Sequence, residues 1–272
     1  MIAEMLSYPF LVRALVGGSL ISLCAALLGV SLVLRRYSMI GDGLSHVSFG
    51  ALSIAVAVGW APLGASVPVV VLAAFFLLRI TENGKMKSDA AIAMISASSL
   101  AAGIVATSLT TGMTTDVSSY MFGSILAMSP GDVKLCAGLS AVVLVLFVFC
   151  YDRIFAVTFD ESFARATGVN VSAYNILIAV LTAVTIVLGM QMMGAMMISS
   201  LIIFPALTSM RIFKSFRAVV WSSGAVAVVC FCIGMMASYK FSTPAGASVV
   251  LVDLGAFLLF GAIEKIRGLN KG

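Results

Sequence analysis

Asp42 and His46 stand four residues apart in Met39-Ile-Gly-Asp-Gly-Leu-Ser-His-Val-Ser-Phe-Gly50, a stretch otherwise apolar or small. His46 is the only histidine among 272 residues. On a helix, a spacing of four is one turn, so both side chains leave the same face. A charged group at membrane depth costs about 2.5–3.5 kcal/mol by insertion measurements, and such groups usually face protein or a water-filled path. Imidazole and carboxylate together suit zinc, and also manganese or iron. Zinc takes four ligands in a tetrahedron, so one chain supplies half a site. A two-fold dimer with this helix near its axis would supply two aspartates and two histidines, and symmetric dimers are the commonest oligomers. Gly41, Gly43, Ser45, Ser48, Gly50 and Ala51 are small enough to let another helix approach closely. The same spacing also fits a buried Asp–His hydrogen bond inside one helix that touches no ion.

The elements that must carry this pair are membrane spans. The chain is 61% hydrophobic and 10% charged, with a mean hydropathy of +1.16. A soluble domain is about a quarter charged. Nine apolar segments of about 20 residues, each long enough for a bilayer core of about 30 Å, fall near 10–34, 39–59, 62–79, 90–110, 132–151, 173–190, 193–210, 218–237 and 245–264. The expected fold is therefore all-α: one polytopic domain over 1–272, a bundle of nine transmembrane helices. Gly189-Met-Gln-Met-Met-Gly194 leaves almost no turn between two spans, so eight is the alternative count. With the N-terminus outside, all of the sixteen basic residues except Arg13, Lys134 and Lys240 fall on the cytoplasmic side, as the positive-inside rule asks. The C-terminus is then cytoplasmic. The first apolar run is too long for a cleaved signal peptide, and Arg35-Arg36 follow it.

The net charge of +5 reports topology rather than nucleic-acid affinity. The five cysteines have no metal-finger spacing and read as small buried residues. The close-set Met190, Met192, Met193, Met196 and Met197 mix helix faces, so adaptable packing is expected rather than a copper path. No Walker A pattern is present; any ATP is hydrolysed by another subunit. Asp253 is a second acid inside a span, in Ser248-Val-Val-Leu-Val-Asp-Leu-Gly255, placed either to line a pathway or to make a polar contact between helices. Phe155-Ala-Val-Thr-Phe-Asp-Glu-Ser-Phe-Ala-Arg-Ala-Thr-Gly168 predicts a short amphipathic helix outside the bilayer. Thr158 as N-cap with Glu161 three later makes a capping box. Phe159, Phe163 and Ala164 form its apolar stripe, and Gly168 closes it. Such a helix lies in the lipid interface or docks into a groove of a soluble partner.

These blocks resemble the permease subunits of zinc/manganese-type ABC importers over about residues 10–265. The blocks are Arg35-Arg-Tyr-Ser-Met-Ile-Gly-Asp-Gly-Leu-Ser-His46, Tyr120-Met-Phe-Gly-Ser-Ile-Leu-Ala127, Phe159-Asp-Glu-Ser-Phe-Ala-Arg-Ala-Thr-Gly168 and Gly194-Ala-Met-Met-Ile-Ser-Ser-Leu-Ile-Ile-Phe-Pro-Ala206, with Thr243-Pro-Ala-Gly-Ala-Ser-Val-Val-Leu251 downstream. The resemblance implies a homodimer in the bacterial cytoplasmic membrane, two cytoplasmic ATP-binding subunits and an extracytoplasmic metal-binding protein. It implies no permanent cofactor, with Zn2+ or Mn2+ as the transported substrate. Asp42 and His46 match the family's intramembrane metal position. Phe159, Asp160, Glu161, Phe163, Ala164 and Gly168 match the helix that couples to the ATPase. Asp253 departs from the family pattern, where a small or weakly polar residue is usual. Thr243-Pro-Ala-Gly246 and Thr182-Ala-Val-Thr-Ile186 look closer to zinc than to manganese permeases. An ATP-independent metal–proton antiporter using Asp42 and Asp253 is the alternative.

Overall fold

The computed structural model describes residues 7–82, 88–111 and 130–268. Helices account for nearly all of them: α1 (Pro9–Leu34), α2 (Ile40–Val58), α3 (Pro62–Glu82), α4 (Ser88–Thr111), α5 (Pro130–Phe149), α6 (Tyr151–Phe159), α7 (Glu161–Ala166), α8 (Val171–Met193), α9 (Ala195–Ile212), α10 (Phe216–Phe241) and α11 (Ala245–Arg267). Each of the nine apolar segments coincides with one of the longer helices. Among the described residues, seven helices are long and apolar enough to cross a membrane. The α5–α6 pair, bent by 69°, raises that to eight if it forms one span. In α3 the apolar stretch Gly64–Leu77 is shorter, so nine is not reached on length and composition. The Tyr120–Ala127 block lies outside the described residues.

Backbone chemistry sets the breaks. Helix α1 ends in a Schellman motif: Tyr37 N–H donates to Leu32 O at 2.8 Å and Arg36 N–H to Val33 O at 3.0 Å. Arg36 takes the left-handed position (φ 61°) that glycine usually fills. Between α8 and α9 the turn is Gly194 alone, at φ 87° and ψ 161°, a region open only to glycine. That is how two helices follow one another with so little loop.

The core is sealed by close backbone approach. A methyl group added at Gly29 of α1 would lie 2.1 Å from Ile202 O on α9. One added at Gly41 of α2 would lie 3.0 Å from Ile202 Cδ1. Helices α1, α2 and α9 therefore converge on Ile202. Helix α2 also presses on α4, where the same test at Gly50 meets Ser99 O at 2.5 Å. The small residues around Asp42 do admit a close neighbour, and the neighbours seen are α4 and α9 of the same chain. The cysteines are unpaired and buried or half-buried. Met190, Met192, Met193 and Met197 belong to the core.

The connection after α5 differs from the expected single helix over 159–168. Helix α6 resumes at Tyr151 and stops at Phe159; Asp160, extended at φ −150° and ψ 99°, separates it from α7. The cap is Asp160, whose Oδ1 accepts from Phe163 N–H at 2.9 Å, not Thr158. Thr158 is spent inside α6 with its hydroxyl buried. The predicted stripe also divides. Ala164 packs inward with Val157, Val169 and Val171, while Phe159 (60% exposed) and Phe163 (63%) face out. Gly168 does close α7, at φ 83°, with Val169 N–H bonded to Ala164 O at 2.9 Å.

Candidate metal centre

Asp42 sits in the first turn of α2, where backbone N–H groups and the helix dipole favour a carboxylate. His46 follows one turn later, its Nε2 3.7 Å from Asp42 Oδ2. That separation is too long for a hydrogen bond, so the alternative of a closed Asp–His bond is not what the helix makes. It does suit two ligands of one ion. Donors about 2.1 Å from a metal and 3.7 Å from each other subtend about 120° at it, within reach of a loose tetrahedron.

The pair is not sealed in the chain's own core. The Asp42 side chain is 43% exposed and that of His46 18%. Asp42 opens on a cavity of about 580 Å³ against α4, lined also by Met39, Asp89, Ile92, Ser96 and Leu100. Two polar neighbours were not singled out in the sequence. Ser199 on α9 places its hydroxyl 3.4 Å from Asp42 Oδ1 while donating more closely to Ala195 O at 2.9 Å. The Gly41–Ile202 contact brings it there, because Ser199 lies one turn from Ile202. Asp89 is in the first turn of α4 and on the cavity wall. Among the described residues no group of three or more His, Cys, Asp or Glu side chains could hold a metal. Within one chain, Asp42 and His46 are two candidate donors on one face of α2.

The profile of the ABC 3 transport family matches residues 7–264. The chain belongs to the ABC 3 transport family. It is 29% identical over 265 residues to the manganese import system permease protein ScaB of Streptococcus gordonii, covering 97% of this chain and 95% of that one. It is 28% identical over 252 residues to the high-affinity zinc uptake system membrane protein ZnuB of Haemophilus influenzae, covering 93% and 97%. The solved structure of PsaBC from Streptococcus pneumoniae in complex with a Fab superposes with a TM-score of 0.85 at 30% identity, covering 96% of this chain and 95% of that one.

Other candidates in this ABC 3 family chain fall elsewhere. Asp253 is 1% exposed, on α11. It faces the Cys230 thiol of α10, and neither carboxylate oxygen is in hydrogen-bonding geometry with a described residue. Asp42, by contrast, faces α4 and Ser199. Thr243 and Ser248 share a hydroxyl contact of 2.7 Å at the α10–α11 turn, and Thr185 bonds back to Leu181 O. The two stretches that favour zinc by resemblance are thus used in turn and helix structure.

Proposed function

We propose that this chain is the membrane-spanning permease of an ABC importer for a divalent transition metal, working as a homodimer. Two copies would set paired Asp42 and His46 residues around one transient site within the bilayer. The observation that carries this is the open, non-bonded Asp42–His46 pair on α2, on a chain of the ABC 3 transport family. A conducting site must be weak enough to release its ion, and a half-exposed pair with one distant hydroxyl neighbour is consistent with that. Zinc is the first cargo to test, then manganese and iron; relatives are named for each of the three.

The chain crosses nine times in this reading, α3 included, with the N-terminus outside. Charge supports the orientation: Arg35, Arg211 and Arg217 stand at the same end of the bundle as α6 and α7. Arg35 pairs with Glu161. Arg217 and Asp152 line one pocket, and Arg211 pairs with Glu264 at 3.2 Å. Outward-facing Phe159 and Phe163 on the α6–α7 corner would dock on a cytoplasmic ATP-binding subunit, and an extracytoplasmic metal-binding protein would load the opposite face.

Reconstitution tests this. The permease, co-expressed with its ATP-binding subunits, is placed in liposomes and assayed for ATP-dependent uptake of labelled Zn2+ and Mn2+. The expected result is ATP-dependent uptake that Asp42→Ala and His46→Ala abolish at normal abundance. Uptake driven by a proton gradient without ATP, or undiminished in His46→Ala, would overturn it.

A further inference from the structure

Arg35 caps the C-terminal end of α1, directly after Leu34, and lies seven positions before Asp42. Its side chain is only 8% exposed. One guanidinium nitrogen donates to Asn175 Oδ1 at 2.8 Å. Another donates to Glu161 Oε1 in an ion pair. Asn175 Nδ2 closes the triangle by donating to the same Glu161 oxygen at 3.2 Å. The Tyr37 ring lies 5.4 Å from the guanidinium carbon. Three elements meet here: the end of α1, the first residue of α7 and the second turn of α8.

Charge-assisted bonds of this kind are roughly twice as strong as neutral ones, and a planar fork fixes geometry as well as distance. On its other side, α7 touches the body through Ala164, packed with small aliphatic residues. The ion pair is therefore the charge-assisted hold on α7 among its described contacts. Slack between Arg35 and the metal pair is also small. The Schellman turn fixes Arg36 and Tyr37 against α1, and Ile40 N–H, the first residue of α2, bonds back to Tyr37 O at 3.0 Å. A pull on Glu161 moves the α1–α2 turn, and that turn carries Asp42 at the start of α2.

We propose that Arg35 is a positioning residue that links Glu161 of α7 to the start of α2, so that displacement of α7 shifts Asp42 and His46 between holding and releasing the ion. This rests on reading α7 as the helix that meets the ATP-binding subunit. Coupling between distant sites needs an element that both ends bias, and the α1–α2 turn is that element here.

The test compares the complete transporter carrying wild-type chain, Arg35→Gln, Glu161→Gln and the double variant, in liposomes. Ions imported per ATP hydrolysed is the main readout. Zn2+ binding to the detergent-solubilised complex is the second, and co-purification of the ATP-binding subunit the third. For Arg35→Gln, transport per ATP should fall by about tenfold, with Zn2+ binding within about twofold of wild type and the complex intact. The double variant should be no worse than Arg35→Gln alone, since both changes cut one link. Unchanged coupling in Arg35→Gln would overturn the proposal, as would additive losses in the double variant or loss of Zn2+ binding in parallel with transport. Arg35→Lys keeps the charge but not the fork and should show a smaller loss of coupling in an assembled complex. If neither Arg35 variant assembles, Arg35 serves folding and the proposal is wrong. A wild-type chain that fails to bind an ATP-binding subunit would instead sink the permease reading itself.

Discussion

Two of the described polar clusters in this apolar chain are built on opposite plans. Asp42 and His46 are partly exposed and too far apart to satisfy each other, and the Ser199 hydroxyl lies 3.4 Å from Asp42 Oδ1. Arg35, Glu161 and Asn175 form a closed triangle in which the guanidinium is nearly buried. A polar group withdrawn from water must find partners or cost stability. The first cluster leaves that need open and the second meets it. The difference separates a cluster with room for a further partner from one whose members bond to one another.

The contrast breaks most directly at His46. Residues that merely orient a metal ligand are worth about 10–100-fold in affinity, so loss of a ligand itself should cost at least about 100-fold. His46→Ala should abolish metal uptake and binding while the thermal midpoint barely moves, because the side chain is held by no described hydrogen bond. A large drop in stability in His46→Ala, read by thermal unfolding of the purified protein, would put the histidine in the structural class instead.

Asn175→Ala is the mirror experiment. It removes one acceptor of Arg35 and one donor to Glu161, leaving a nearly buried guanidinium short of a partner. The expected loss is about 1–3 kcal/mol of stability, with Zn2+ binding by the solubilised protein retained. A variant as stable as wild type would mean that the triangle is looser than its geometry indicates.

How much of this could be read from the chain follows the physics of each signal. Apolar runs locate helices because a bilayer span leaves little choice, and the nine runs coincide with nine helices. The lone histidine one turn from an aspartate was equally legible, since nothing else in that segment is titratable. The α6–α7 corner was not. Thr158 and Asp160 are both competent caps, and the bend at Asp160 chooses between them. The glycines and serines near Asp42 signalled a close neighbour without saying whose, and α4 and α9 supply it. Arg35 looked like a topology marker because its partners lie 126 and 140 positions away. Ser199 was hidden in the same way, placed by the contact of Gly41 with Ile202.

Ser199→Ala gives a finer measure of how incomplete the metal pair is. Its hydroxyl already donates to Ala195 O, so the 3.4 Å contact to Asp42 can contribute no more than an ordinary hydrogen bond. The expected change is about 0.5–1 kcal/mol, or about two- to fivefold in Zn2+ affinity by titration. A loss as large as that of His46→Ala would make Ser199 a ligand in its own right.

The smallest effect is expected at Asp253, the acid that belongs to neither plan. It is buried on α11 with the Cys230 thiol as its polar neighbour, and a methyl at Gly234, one turn from Cys230, would lie 2.5 Å from Val249 Cα. The α10–α11 seam is therefore close-packed one turn from it, and Asp253 is 1% exposed. Asp253→Asn keeps the size and shape of the side chain, and an amide is less costly to bury than a carboxylate. Uptake should stay within about twofold of wild type, and stability should be equal or higher by about 1 kcal/mol. A collapse of uptake in a stable Asp253→Asn protein would put this acid on the ion's route. The open-against-closed contrast would then miss a third kind of site, one that is buried and unpaired yet used.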